Sequence, residues 1–129
     1  MRLSGRDIGA GVVAVLLVLG AAVLGLNEAA GAHPWWAVRS GIIGGVMGIA
    51  GFSGLRWLAV PRLWVMVLGV VIFAAAMAAA YLGKQAFVMS IGEDVSAGKL
   101  WYFGWFGVSA GAVVTIAALL AGVMRRERA

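Results

Sequence analysis

Residues 63–83 read LWVMVLGVVIFAAAMAAAYLG, and this stretch decides the fold class. An α-helix rises about 1.5 Å per residue, so about 20 apolar residues cross a hydrocarbon core roughly 30 Å thick. Three more apolar stretches, at 8–26, 40–55 and 103–124, also lack acidic residues. Their side chains do not alternate between apolar and polar, as strands of a membrane barrel would. The sequence therefore predicts a helical membrane protein.

The composition agrees with this fold class. The chain has 129 residues, 64% of them hydrophobic and 12% charged, and its mean hydropathy is +1.03. A small soluble core cannot bury so much apolar surface, so the excess must face lipid. We predict a single all-α domain over residues 1–129, an antiparallel bundle of transmembrane helices at about 8–26, 36–55, 63–83 and 101–124, with an outer loop at 84–100.

Two local signals refine these boundaries. The first apolar stretch exceeds the 7 to 15 residues that are usual for the apolar part of a signal peptide, so we expect it to remain as a helix. Pro61 lies where a helix start tolerates a missing N–H. The connection before Pro61 is short, so we expect the second and third transmembrane helices to form an antiparallel hairpin.

The charge distribution predicts the orientation. The two ends of the chain and the connection at 56–62 carry seven basic and two acidic residues: Arg2, Arg6, Arg56, Arg62, Arg125, Arg126 and Arg128 with Asp7 and Glu127. The opposite side carries three of each: Arg39, Lys84 and Lys99 with Glu28, Glu93 and Asp94. By the positive-inside rule, both termini are cytoplasmic. Basic residues at membrane edges indicate lipid contact, so we expect the bilayer as a partner and no nucleic acid.

Tryptophan positions support the same topology. Indole rings favour the headgroup region, where the ring is half-buried and the N–H is hydrated. All six tryptophans fall near a predicted helix end: Trp35, Trp36, Trp57, Trp64, Trp101 and Trp105.

Small residues form stripes on the predicted helices. The second transmembrane helix carries two overlapping GxxxG patterns, and the fourth carries further glycines; the candidate packing residues are Gly41, Gly44, Gly45, Gly48, Gly107 and Gly111. Residues four apart share one helix face, where another backbone can approach closely. The partner helix can belong to this chain or to another subunit.

Polar residues are few and lie near helix ends. Glu28, His33 and Arg39 are the candidates for a polar or lipid contact. Arg39 can reach phosphate headgroups, or it can pair with Glu28 or with an acidic residue of the outer loop. His33 is the single histidine, which fits a loop or interfacial role.

The residue inventory argues against an enzyme. The chain has no cysteine, so thiolate chemistry and Cys metal sites are excluded. A nucleophile needs a positioned base, and the only histidine is not near a serine in the sequence. Ser53, Ser109 and Thr115 can bond back to their own helices. We therefore predict no catalytic residue, no metal site and no cofactor.

The segment Arg2-Leu3-Ser4-Gly5-Arg6-Asp7-Ile8-x-Ala10-Gly11, with the pair Trp35-Trp36 ahead of a Gly-Gly-bearing helix, resembles the small four-helix subunit of tripartite tricarboxylate transporters. The resemblance covers the first half of the chain and assigns no functional residue. It implies a small accessory subunit beside a larger carrier.

These observations favour a non-catalytic accessory subunit of a larger inner-membrane complex, respiratory, photosynthetic or transport, that acts in assembly or stabilisation. The alternative is a small homo-oligomeric transporter or channel, built from several copies of this chain. A carboxylate deep in the membrane, which proton-coupled carriers usually need, is missing from the predicted helices. The expected location is the bacterial inner (cytoplasmic) membrane.

Overall fold

A computed structural model describes residues 3–128, and the side chains up to residue 124. All regular structure in this range is helical: α1 (Gly5–Val23), α2 (Leu26–Ala29), α3 (Ala37–Trp57), α4 (Arg62–Met89) and α5 (Val95–Arg128). Four of these helices, α1, α3, α4 and α5, are long and apolar enough to cross a membrane. The prediction of an all-α chain with four such helices is confirmed, and they indicate a multi-pass membrane protein.

Each helix boundary has a local cause. Ser4 and Asp7 cap α1 reciprocally, because the Ser4 side chain accepts from the Asp7 N–H and the Asp7 carboxylate accepts from the Ser4 N–H. This arrangement satisfies N–H groups that have no partner within a helix. Gly25, at φ 90°, turns the chain after α1. Pro61 precedes the first residue of α4, where its missing N–H costs nothing.

The expected outer loop at 84–100 is wrong over most of its length. The helix α4 continues to Met89 and α5 begins at Val95, so the connection is only residues 90–94. Ile91 and Gly92 turn the chain with positive φ angles, and Asp94 accepts a hydrogen bond of 3.0 Å from the Ala97 N–H at the start of α5. Local interactions at this turn set the end of α4 and the start of α5. On either side of the turn, each helix therefore extends beyond its most apolar stretch.

The helix α5 lies at the centre of the bundle and packs against α1, α3 and α4. In contrast, α3 and α4 scarcely touch, and α1 does not pack against α4. The expected hairpin of α3 and α4 therefore has a short connection, but both helices pack against α5 and scarcely against each other. The reason is visible in the core, where Phe52 of α3 and Val65 of α4 are buried in one cluster with Val113 and Ala117 of α5.

Long-range contacts define two ends of the bundle. At the first, which we call the terminal end, the Arg56 Nε donates to the Asp7 carboxylate over 3.1 Å, and an Arg62 nitrogen donates to the Ala118 carbonyl over 3.3 Å. At the second, which we call the loop end, the Trp101 indole donates to the Gly31 carbonyl over 3.0 Å. At the terminal end, these contacts bring together the start of α1, the turn between α3 and α4 and the last turns of α5.

Candidate functional site

The candidate packing glycines of α3 face two different helices. A methyl group at Gly44 would lie 2.5 Å from the Phe106 carbonyl oxygen, and one at Gly48 would lie 2.7 Å from that of Ala110. These two glycines therefore hold the backbones of α3 and α5 close together. Gly41 and Gly45 face α1 instead, the first across from Ala22 and the second 3.0 Å from the Leu19 side chain.

The glycines of α5 make the equivalent contact with α4. A methyl group at Gly107 would lie 2.7 Å from the Ala76 side chain, and one at Gly111 would lie 2.6 Å from the Phe73 nitrogen. Alanines and glycines on both helices remove the side chains that would otherwise keep two backbones apart, so dispersion contacts accumulate over the whole length. Each of the six candidate glycines contacts a helix of this same chain.

His33 lies in an aromatic cluster at the loop end. Its ring stacks on Trp36 at 5.9 Å between centroids and meets the Trp101 ring edge-on at 5.6 Å. The His33 Nδ1 accepts a hydrogen bond of 3.1 Å from the Trp35 N–H. These contacts pack His33 among aromatic rings and hold the connection between α2 and α3 against Trp101 of α5.

Glu28 and Arg39 are both exposed at the loop end. Neither takes part in a salt bridge within residues 3–124. Exposed ends of long side chains at this level can reach headgroups and water.

The ion pair of Asp7 and Arg56 was missed by the sequence analysis. The Asp7 side chain is 4% exposed and that of Arg56 is 25% exposed. Arg56 also donates to the Val60 carbonyl over 2.7 Å, so one guanidinium joins α1 to the turn between α3 and α4. The Ser4-x-x-Asp7 capping pattern is visible in the sequence, but its pairing with a residue far along the chain is not. Arg2 lies outside the described residues, as do the side chains of 125–128.

Two hydroxyls in the bundle bond within their own helices. The Thr115 hydroxyl donates to the Gly111 carbonyl over 2.8 Å, as the sequence predicted, and the Ser40 hydroxyl donates to that of Ala37 over 3.1 Å. Within residues 3–124, no group of three His, Cys, Asp or Glu side chains is placed to hold a metal ion.

A largely apolar slot runs along α4 with α5 as its floor; Ala30 and Gly31 border its wider part, and α1 and α2 border its narrower part. We call it the α1–α4 slot. Its wider part, about 870 Å³, reaches the loop end, and its narrower part, about 280 Å³, continues towards the middle of the bundle. Both parts are lined by Ala30, Phe73, Met77 and Trp105, so they form one depression. Sequence patterns could not show it, because it depends on which helices fail to touch.

The mouth of the slot is its polar part. Lys84, Tyr81 and Gln85 of α4 line it. The Gln85 amide donates to the Tyr81 hydroxyl over 2.8 Å, and the Lys84 Nζ lies 5.8 Å from the centroid of the Trp101 ring. A cation, a hydroxyl and an amide therefore lie together in the loop-end half of the slot, where Val88 and Met89 are among the apolar lining residues.

Comparison of the chain with models of protein families, with curated proteins and with solved structures found no match. The resemblance of the first half to the small subunit of tripartite tricarboxylate transporters therefore stays a prediction.

Proposed function

We propose that this chain is a non-catalytic integral subunit of a larger complex in the bacterial inner membrane, respiratory, photosynthetic or transport, where it acts in assembly or stabilisation. The observation that carries the proposal is the free face of α4. Only 17% of the most apolar stretch of α4 is buried within the chain, against 44% for α5. This helix has the highest mean hydropathy of the four, 2.5, and it packs on a single neighbour.

The interior of the bundle favours a role in assembly or stabilisation over a transport pathway. Small residues bring the backbones of α3 and α4 close to α5, and the partly buried ion pair of Asp7 and Arg56 lies at the terminal end. A solute pathway through one chain would need polar or hydrated groups at depth. Within residues 3–124, the Thr115 hydroxyl already bonds to its own helix, and the Asn27 amide is a buried polar group near the loop end.

We also propose that both termini lie in the cytoplasm and that the bundle is antiparallel. The contact register supports alternating directions, because Gly69 of α4 faces Thr115 of α5 while Gly83 faces Trp101. The terminal end gathers Arg56 and Arg62, which the positive-inside rule assigns to the cytoplasm.

The test is gentle extraction of the tagged full-length chain into nanodiscs, followed by native mass measurement. We expect unlike, larger subunits to co-purify. Val71→Trp on the free face of α4, where Val71 is 56% exposed, should reduce their yield severalfold. Leu16→Trp is the matched control, because Leu16 is 62% exposed on α1.

The same measurement distinguishes the accessory subunit from the alternative, a homo-oligomeric transporter or channel. Masses that are only multiples of 13.3 kDa, together with solute flux in liposomes holding this chain alone, would favour the homo-oligomeric transporter. A lone monomer in the nanodiscs would contradict both readings. Equal loss of partners in the α1 and α4 variants would show that the free face of α4 is not the contact.

A further inference from the structure

Lys84 is a half-buried cation with no acidic partner within residues 3–124. The acidic side chains of the loop end, Glu28, Glu93 and Asp94, are exposed. Asp94 also caps α5 through the Ala97 N–H. A partly desolvated ammonium is stabilised only when an anion or an aromatic face meets it. Trp101 supplies the aromatic face, with its ring centroid 5.8 Å from the Lys84 Nζ.

Two more donors stand beside Lys84 at the mouth of the α1–α4 slot. The Tyr81 hydroxyl accepts from Gln85 over 2.8 Å and so keeps its own proton free to donate. The Gln85 amide carries a second N–H in the same place. An ammonium with a hydroxyl and an amide suits the oxygens of a phosphate, which accept several hydrogen bonds at once.

Below this polar mouth, the slot has the length of one leaflet. From Lys84 down to Phe73, α4 spans about 16 Å at 1.5 Å per residue. Half of a hydrocarbon core of about 30 Å is about 15 Å. The volume of about 870 Å³ lies in the range of about 300 to 1,000 Å³ that is usual for small-molecule sites. An apolar slot of this depth, open to the bilayer beside α4, fits an extended acyl chain.

We propose that the α1–α4 slot binds one anionic phospholipid, with its phosphate on Lys84 and an acyl chain that runs along α4 towards the narrower part, which α1 lines. The polar mouth selects a headgroup at the level of the interface, and the apolar depth takes the chain. A zwitterionic lipid carries its own cation near the phosphate, which would stand close to the Lys84 ammonium. The site therefore favours a headgroup with net negative charge.

Binding to the purified full-length chain in detergent tests this by native mass spectrometry. Phosphatidylglycerol and phosphatidylcholine with identical acyl chains are the two probes. We expect one equivalent of phosphatidylglycerol to bind about fivefold more tightly than phosphatidylcholine, which corresponds to one lysine acting near a membrane surface. Equal affinity for the two lipids would overturn the proposal, and this comparison needs no variant.

Variants then assign the two halves of the site. Lys84→Gln should abolish the preference for phosphatidylglycerol, whereas Lys99→Gln should keep it, because Lys99 is exposed at the same end and does not line the slot. Ala78→Phe should weaken the binding of both lipids by filling the slot, and Ala75→Phe, on an exposed part of α4 outside the slot, should not. A preference that survives Lys84→Gln, or lipid binding that survives Ala78→Phe, would contradict the assignment.

Discussion

Replacing Gly48 by alanine tests the close contact between α3 and α5. The added methyl group would lie 2.7 Å from the Ala110 carbonyl oxygen and 2.8 Å from the Val113 Cβ. Ordinary van der Waals contact begins at 3.4 Å, so the two helices must separate by about 0.7 Å at this point. Backbone atoms on α5 cannot rotate away as a flexible side chain could, so the cost falls on the helix interface.

The size of the effect follows from this displacement. A gap of about 0.5 to 1 Å removes a quarter to a half of the dispersion energy between facing atoms. Overpacked sites lose typically about 1 to 3 kcal/mol of stability. Alanine also favours the helix over glycine by up to about 1 kcal/mol, which offsets part of the loss. With the full helix-propensity offset, we expect Gly48→Ala to lower the free energy of unfolding by up to about 2 kcal/mol.

Gly51 provides the matched control on the same helix. A methyl group there meets no atom within 4 Å, so Gly51→Ala keeps the gain in helix propensity without the clash. The difference between the two variants therefore isolates the interface cost, about 1 to 3 kcal/mol. Unfolding in mixed micelles of increasing SDS fraction, followed by tryptophan fluorescence, measures both. If Gly48→Ala were as stable as Gly51→Ala, the contact between α3 and α5 would not be close.

Three further predictions concern the two ends of the bundle. Asp7→Asn should lower the free energy of unfolding by about 2 kcal/mol, because it leaves Arg56 without its carboxylate; Glu93→Gln, at an exposed site, should leave it unchanged in the same SDS titration. Trp101→Phe should cost about 1 to 3 kcal/mol by leaving the Gly31 carbonyl without its donor, whereas Trp35→Phe, at a side chain that is 90% exposed, should cost little. Because the chain has no cysteine, single Leu58→Cys and Glu93→Cys variants in intact cells test the orientation. A membrane-impermeant thiol reagent should label only the Glu93→Cys variant. Labelling of the Leu58→Cys variant alone would mean that the topology is inverted.

Periodic and compositional features of the chain were sufficient to predict the four membrane helices. Each of them is a long apolar segment, and such a segment is identified by its local composition and length. Helix ends were less accessible to prediction. The segment 84–100 contains polar residues and was expected as a loop, yet capping by Asp94 and a turn at Ile91 and Gly92 confine the break to a few residues.

The glycines show why helix packing partners could not be predicted from the sequence. Spacing predicted that Gly44, Gly48, Gly107 and Gly111 lie on packing stripes, but it could not assign the facing helix. A missing side chain permits close approach by any backbone. The choice of α5 as the common neighbour depends on larger residues, such as Phe52 and Val65, that fill one shared cluster beside it.

By itself, the sequence determined that this chain is a bundle of apolar helices with its charges at the ends, because transfer into lipid depends on the local run of side chains. Only the tertiary structure decided that α5 is central, that Asp7 pairs with Arg56, and that a slot lined by Lys84 runs along α4 over α5. The four acid-free stretches are nearly interchangeable in composition. Which of them touch is set by the match of shapes across whole helix faces, a property of pairs of segments far apart in the chain.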